Sequence, residues 1–173
     1  KDSLTDGLDL FESIFGFRSV SFIPPCYTWS SELEETLHRG GVRYIQGLTV
    51  QQIPTGSFGQ YKRKFHFLGN RNSFGQYYMV RNSFFEPALS GYSDDVDRCL
   101  ARIAIAFRWN KPAVISSHRI NYIGALDKSN RDRTLPMLKK LLSSIIRYWP
   151  GVEFLTTGSL GDMVCRGREQ GKP

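Results

Sequence analysis

Lys111 to Gly124 reads KPAVISSHRINYIG, and the fold turns on it. Ala113 to Ile115 is a short apolar, partly β-branched run behind a Lys-Pro breaker, which predicts a buried strand of a parallel sheet. Directly beyond it come Ser116, Ser117, His118, Arg119, Asn121 and Tyr122, a dense group of donors and acceptors with one titratable imidazole. In open α/β sheets and in barrels, chemistry collects where strands finish at their carboxyl side. A lone histidine at a strand end more often satisfies a backbone carbonyl than drives a reaction. What raises this one is that the other strand ends of the chain are polar as well.

Upstream, Leu8, Phe11 and Phe15 recur at helical spacing, with Leu10 and Ile14 widening the face. Thr5 or Asp6 is the expected cap and Gly16 the left-handed stop. Val20 to Ile23 reads as a strand ended by Pro24-Pro25, since neither proline continues a central ladder. Ser31 with Glu34 spells a capping box for a helix that ends at Gly40-Gly41, and Arg43 to Ile45 is the next strand. From Gly47 to Glu86 the rhythm changes. SFGQY occurs at Ser57–Tyr61 and again at Ser73–Tyr77, and RNSF at Arg71–Phe74 and Arg81–Phe84, words too short to make a repeat architecture. Phe65 and Phe67 alternate with Lys64, His66 and Leu68, and Gly69-Asn70 offers a turn, so an insertion of hairpin character is expected over about residues 47–76. His66 lies on the polar side of that alternation and is expected in solvent.

Tyr77 to Val80 follows as a strand. Ser93 or Asp94 then caps a helix whose stripe is Val96, Leu100, Ile103, Ala104 and Phe107, with Asp94 and Asp95 favoured in its first turn by the helix dipole. Beyond the central strand, Asn130 or Asp132 starts a long helix with Leu135, Leu138, Leu142, Ile145 and Trp149 on one face. Pro136 is tolerable there if it lies in the first turn. Pro150-Gly151 stops that helix, Val152 to Leu155 reads as a last strand, and the glycines of TTGSLGD behind it read as a loop turn.

This succession predicts an α/β fold with about five parallel strands joined by crossover connections, in a single domain over residues 1–173. Pro25, Tyr27 and Trp29 follow the first strand and Gln46 the second. Arg81, Asn82 and Glu86 follow the third, Ser117, His118 and Arg119 the fourth, and Thr156-Thr157 the fifth. In a parallel sheet these ends share one side.

The 173 residues carry 23 Lys and Arg against 16 Asp and Glu, a net charge of +7. Such a balance admits nucleic acid, anionic glycan or anionic lipid as partners. The densest basic run is only Lys62-Arg63-Lys64, with further bases in the tail over 166–173, so a solvated surface is the simpler reading. Cys26, Cys99 and Cys165 lack the spacing of a disulfide framework or a structural zinc site. No apolar run reaches the length of a membrane span. There is no Gly-x-Ser-x-Gly elbow and no P-loop. A chain that opens on Lys1 and enters a helical pattern almost at once reads as a piece of a longer protein, which leaves its compartment open.

Two segments resemble the polysaccharide deacetylases, the NodB-homology carbohydrate esterase family. SFIPPCYTWSSELEETLHRGGVRYIQG, Ser21 to Gly47, is similar to that family's Arg-x-Pro-Tyr block, in which a strand ends in prolines, a helix follows and a new strand opens. AVISSHR, Ala113 to Arg119, resembles its late strand bearing a histidine. The resemblance implies an irregular (β/α) barrel of the glycoside hydrolase/deacetylase type, of which this chain would be the C-terminal part. It implies a carbohydrate substrate bearing N-acetyl or O-acetyl groups. His118 matches the late catalytic histidine, which protonates the leaving group or polarises the intermediate. Tyr27 or Trp29 would wall the acyl pocket. The family's arginine falls near Ile23, so it is absent here, and Arg81, Asn82 and Glu86 are candidates to replace it. The family's Asp-Asp strand and His-x-x-x-His pair belong to the front half, so a divalent, zinc-like metal is expected for the complete enzyme and none for this chain alone. His38, His66 and His118 stand on unlike elements and do not make a three-histidine site.

Hydrolysis of an amide or ester with metal assistance needs a Lewis acid, an activated water, a base and a donor for the leaving group. This chain offers the donor, His118, because imidazole exchanges a proton near neutral pH. Tyr27, Trp29 and Tyr122 are candidate sugar-stacking rings, and Arg81, Asn82, Arg119 and Asn121 candidate polar clamps. Two rivals stand beside this reading. YKRKFHF interleaves bases with aromatics as single-strand nucleic-acid surfaces do, though one triplet makes a poor groove and nucleic acid is the weaker expectation. The stronger rival is a glycan-binding or scaffolding protein that kept the fold and lost catalysis along with the arginine. Open sheet edges in part of a barrel would invite pairing, so a homodimer through those edges is expected.

Overall fold

The computed structural model describes residues 2–57, 59–90, 94–125 and 127–170. In chain order its elements are α1 (Asp2–Phe15), β1 (Ser21–Phe22), α2 (Leu33–Arg39), β2 (Tyr44–Gly47), β3 (Val50–Pro54), β4 (Tyr61–Phe65), β5 (Tyr77–Val80) and β6 (Ser83–Phe84). There follow α3 (Pro87–Ser90), α4 (Asp95–Arg108), β7 (Ile115–Ser116), α5 (Lys128–Tyr148) and α6 (Thr157–Gln170). The fold is mixed α/β with parallel and antiparallel pairs, and among the described residues the strands close no barrel. They group into two compact units, Lys1–Val80 with Leu155–Pro173, and Arg81–Phe154.

In the first unit, β1, β2 and β5 form a parallel sheet in the order β1-β2-β5, with Tyr44 beside both Ser21 and Tyr77. All of β2 is buried, as a central parallel strand requires. Leu8, Trp29, Leu37, Val42, Ile45 and Tyr78 make the core. The expected insertion is an antiparallel hairpin, β3 on β4, running from Val50 opposite Phe65 to Pro54 opposite Tyr61. Gly16, at φ 74°, ends α1 as expected, its N–H bonding to Glu12 O at 2.8 Å.

Several expectations for this unit fail. Thr5 and Asp6 lie inside α1 rather than capping it, and Leu10 and Ile14 face solvent. Ser31 and Glu34 form no capping box, because the Glu34 carboxylate turns inward. It accepts from Trp29 Nε1 at 3.0 Å, Tyr78 OH at 2.8 Å and Asn72 Nδ2 at 3.1 Å. His66 is 2% exposed while Phe65 and Phe67 are the outward residues, the reverse of the alternation read from sequence. The imidazole stacks on Tyr78, ring centroids 3.6 Å apart, with the Trp29 ring 5.9 Å away. Gln51 gives its amide N–H to Trp29 O at 2.9 Å, so its oxygen faces His66 Nε2 at 2.7 Å and that nitrogen carries the proton.

Val152 to Leu155 is not a strand, since among the described residues no strand lies beside it, and Phe154 and Leu155 are exposed. The glycine-rich stretch behind it is α6 rather than a loop. Gly161 permits this: a β-carbon there would stand 2.3 Å from the Tyr44 ring. The helix is latched to β2 by Asp162, which accepts from Tyr44 OH at 2.5 Å and from Arg43 Nη1 at 2.8 Å. Those partners hold the Asp162 carboxyl below its usual range, the tyrosine bond contributing most.

In the second unit, β6 and β7 pair in parallel, Ser83 with Ile115 and Phe84 with Ser116. Phe85, Val96, Cys99, Leu100, Ile103, Leu141 and Ile145 form its core beneath α4 and α5. Asp94 occupies the cap position of α4 without a side-chain bond, and Ser93 lies outside the described residues. α5 starts at Lys128, earlier than the Asn130 or Asp132 expected, because Asp127 caps it by accepting from Ser129 N at 2.9 Å. Pro136 therefore sits inside the helix, beyond its first turn.

Candidate active site

The short β6–β7 ladder fixes what lies past its ends. The register that places Phe84 beside Ser116, continued two residues, places Glu86 beside His118. Phe85 N–H bonds to Ser116 O at 2.9 Å, and His118 N–H bonds to Glu86 Oε2 at 3.2 Å. The side chains then meet, with His118 Nδ1 2.8 Å from Glu86 Oε1. A carboxylate only accepts, so Nδ1 carries a proton and Nε2 is the nitrogen that remains to gain or lose one. The two environments differ: the Glu86 side chain is 19% exposed and that of His118 62% exposed.

A buried frame holds the pair. Asn121, 0% exposed, gives its amide N–H to Glu86 Oε2 at 2.8 Å and to the His118 carbonyl at 2.8 Å. Its oxygen accepts from Ala88 N at 2.9 Å, fixing the start of α3. Ser117 donates to Phe85 O at 2.6 Å, which leaves Tyr122 OH to donate to Ser117 Oγ at 2.6 Å. Burial pushes the Tyr122 phenol above its usual pKa, so it stays a donor. From α5, the buried Thr134 hydroxyl bonds to Asn121 O and Arg133 Nη1 to Pro87 O at 3.0 Å. A cavity of about 410 Å³ opens in the same unit, lined by Ala88, Ile120, Ile123, Asn130 and Arg133 among others.

The structure thus brings together His118, Glu86, Asn121 and Tyr122. Arg119 is exposed in the turn that follows. Arg81 donates to Ile115 O at 3.3 Å. Asn82 is spent on backbone, donating to Pro112 O at 2.9 Å and accepting from Val114 N at 2.8 Å, which aligns the approach to β7. Trp29 and Tyr27 belong to the first unit, where Trp29 is 3% exposed with its N–H on Glu34 and Tyr27 is half-buried at φ 55°. Sequence reasoning named Ser117 among the polar residues past the strand without giving it a role, and it did not single out Arg133 and Thr134. Ser117 was readable as part of SSHR, whereas nothing local distinguishes Arg133 or Thr134 from any other helical residue.

Among the described residues no three His, Cys, Asp or Glu side chains converge, and Glu86 and His118 direct their facing atoms at each other. No helix of the described residues is long and apolar enough to cross a membrane. No protein-family model matches the chain, and no curated protein matches its sequence.

Proposed function

We propose that this chain supplies the proton-transfer residue of a hydrolase that removes N-acetyl or O-acetyl groups from a carbohydrate, and that it is the C-terminal part of an irregular (β/α) barrel. The observation that carries the reading is the His118–Glu86 pair standing past the carboxyl ends of two parallel strands. Acyl transfer requires a proton for the departing amine or alcohol, and a histidine with one nitrogen locked by a carboxylate delivers it from the other. Glu86 fixes the tautomer and ring plane and balances the imidazolium while it carries the extra proton. Asn121 keeps Glu86 in place, and Ser117 and Tyr122 keep the loop closed. The divalent, zinc-like ion of the complete enzyme would bind residues beyond this set, and by itself the chain is expected to turn nothing over.

Acetate release by the full-length protein from N- and O-acetylated oligosaccharides, with divalent metal supplied, tests this. The wild type releases acetate, and His118→Asn lowers turnover by about 10²–10⁴-fold, the usual contribution of a general acid. Acetate release indifferent to His118 would sink the reading. The lack of an arginine where Ile23 stands, 45% exposed, favours a second reading: a glycan-binding or scaffolding protein that does no chemistry. Glycan binding without acetate release is its signature.

A further inference from the structure

The charge of this chain is segregated. From Thr36 to Phe85 there are seven Lys or Arg residues and not one Asp or Glu, so this stretch accounts for the whole net charge of +7. Within it, Arg39 pairs with Glu35 and Arg43 with Asp162. Lys62, Arg63 and Lys64 of β4 have no carboxylate partner among the described residues. Every residue of β4 is exposed, and no described strand pairs with its outer edge.

Charged side chains alone would serve to blunt an open edge. They do not explain the rings. Tyr61 is 50% and Phe65 63% exposed, and the alternation of a strand puts both on one face with Arg63 between them. The opposite positions on β3 add Pro54, Gln52 and Val50 to that face, none of them charged. The result is a ribbon carrying ring, guanidinium, ring, the two rings about 13 Å apart. Lys62 and Lys64 fall on the other face, where the Lys64 ammonium lies 5.9 Å from the Tyr78 ring.

We propose that this face of the β3–β4 ribbon binds an acidic polysaccharide, with sugar rings stacked on Tyr61 and Phe65 and a uronate carboxylate on Arg63. The inference rests on the carbohydrate reading above and adds the charge of the glycan to it. One cation for two stacking rings suits a polymer with one carboxylate per two sugars. Single-stranded nucleic acid, with a phosphate at every stacked base, calls for a basic groove along the same face. Arginine meets a planar carboxylate with two parallel N–H bonds, which a lysine does not provide.

The test is retardation of the full-length protein in affinity gels containing hyaluronate, which has one uronate per two sugars, a neutral cellulose ether or single-stranded oligothymidylate, repeated at rising salt. Expected is retardation by hyaluronate that weakens with salt, with little effect of the neutral polymer. Arg63→Ala, and separately Tyr61→Ala with Phe65→Ala, should each lower the affinity at least about tenfold while circular dichroism stays unchanged. No retardation, retardation indifferent to these substitutions, or equal Arg63-dependent binding of oligothymidylate overturns the proposal. Acetate release is measured in parallel on the same variants. Wild-type protein that releases acetate from neutral substrates yet binds no acidic glycan overturns the ribbon site alone, whereas absent acetate release with Arg63-dependent acidic-glycan binding overturns the hydrolase alone.

Discussion

Nδ1 of His118 lies 2.8 Å from Oε1 of Glu86 because each residue stands two positions past one of two strands paired in parallel. Backbone register, rather than any local motif, makes the contact. A one-residue slip would send one of the two side chains to the opposite face of the sheet.

From that geometry, Glu86→Gln should leave His118 in place but release its tautomer, because an amide can present either a donor or an acceptor. Nitrogen NMR should show a protonated Nδ1 in the wild type and a mixture in the variant. Acetate release should fall with Glu86→Gln, and adding it to His118→Asn should cost little more, since residues acting as one unit are not additive. Additive losses would mean that Glu86 acts elsewhere.

Acid should destabilise the first unit through His66. Burial, with a smaller effect from Lys64, pushes its pKa down from 6.5 to about 4. The fold thus prefers the neutral ring, and between those values the unfolded chain binds the extra proton. The contribution is complete above pH 6.5 and disappears as pH falls towards 4, a change on the order of 3 kcal/mol. Denaturant unfolding at a series of pH values should show this slope, and His66→Gln should flatten it. An identical slope in the variant would assign the acid sensitivity to other groups.

Gly161→Ala should loosen α6. The added methyl meets the Tyr44 ring at 2.3 Å, and the ring cannot retreat because it lies in the buried strand β2 with its hydroxyl on Asp162. A loss of about 1–3 kcal/mol is expected, as for other overpacked contacts. Gly167→Ala serves as the control, with nothing within 4 Å of its β-carbon position.

Cysteine reactivity should follow burial. Cys99 is fully buried and its thiol is pushed up to about 11, chiefly by that burial. Cys26 is exposed in the turn after Pro24-Pro25. Iodoacetamide at neutral pH should label Cys26 in the folded protein and Cys99 only with unfolding. Early labelling of Cys99 would mean that the α4–α5 core opens readily.

The site was partly legible in the sequence. His118, Glu86, Asn121 and Tyr122 announce themselves as polar residues crowded behind apolar runs. Trp29 and Tyr27 were read by the same logic, but a strand end does not reveal whether the next ring turns outward or, as Trp29 does, into the core onto Glu34. For His66 the period-two pattern was correct and its phase was reversed. Two neighbouring phenylalanines argue for burial of their own face, and only the contacts with Tyr78 and Trp29 make the imidazole face the better fit.

By itself, the sequence determined the alternation of helices and short strands, the parallel strands at Tyr44 and Tyr77, the hairpin between them and the polar end of β7. These follow from spacing, caps and breakers that act over a few residues. Tertiary structure decided that Glu86 meets His118, that Glu34 and His66 are internal, and that the glycine-rich tail is a helix latched through Asp162. Each depends on which distant surfaces bury one another, and side-chain volume and hydrogen-bond satisfaction settle that only once the chain has closed.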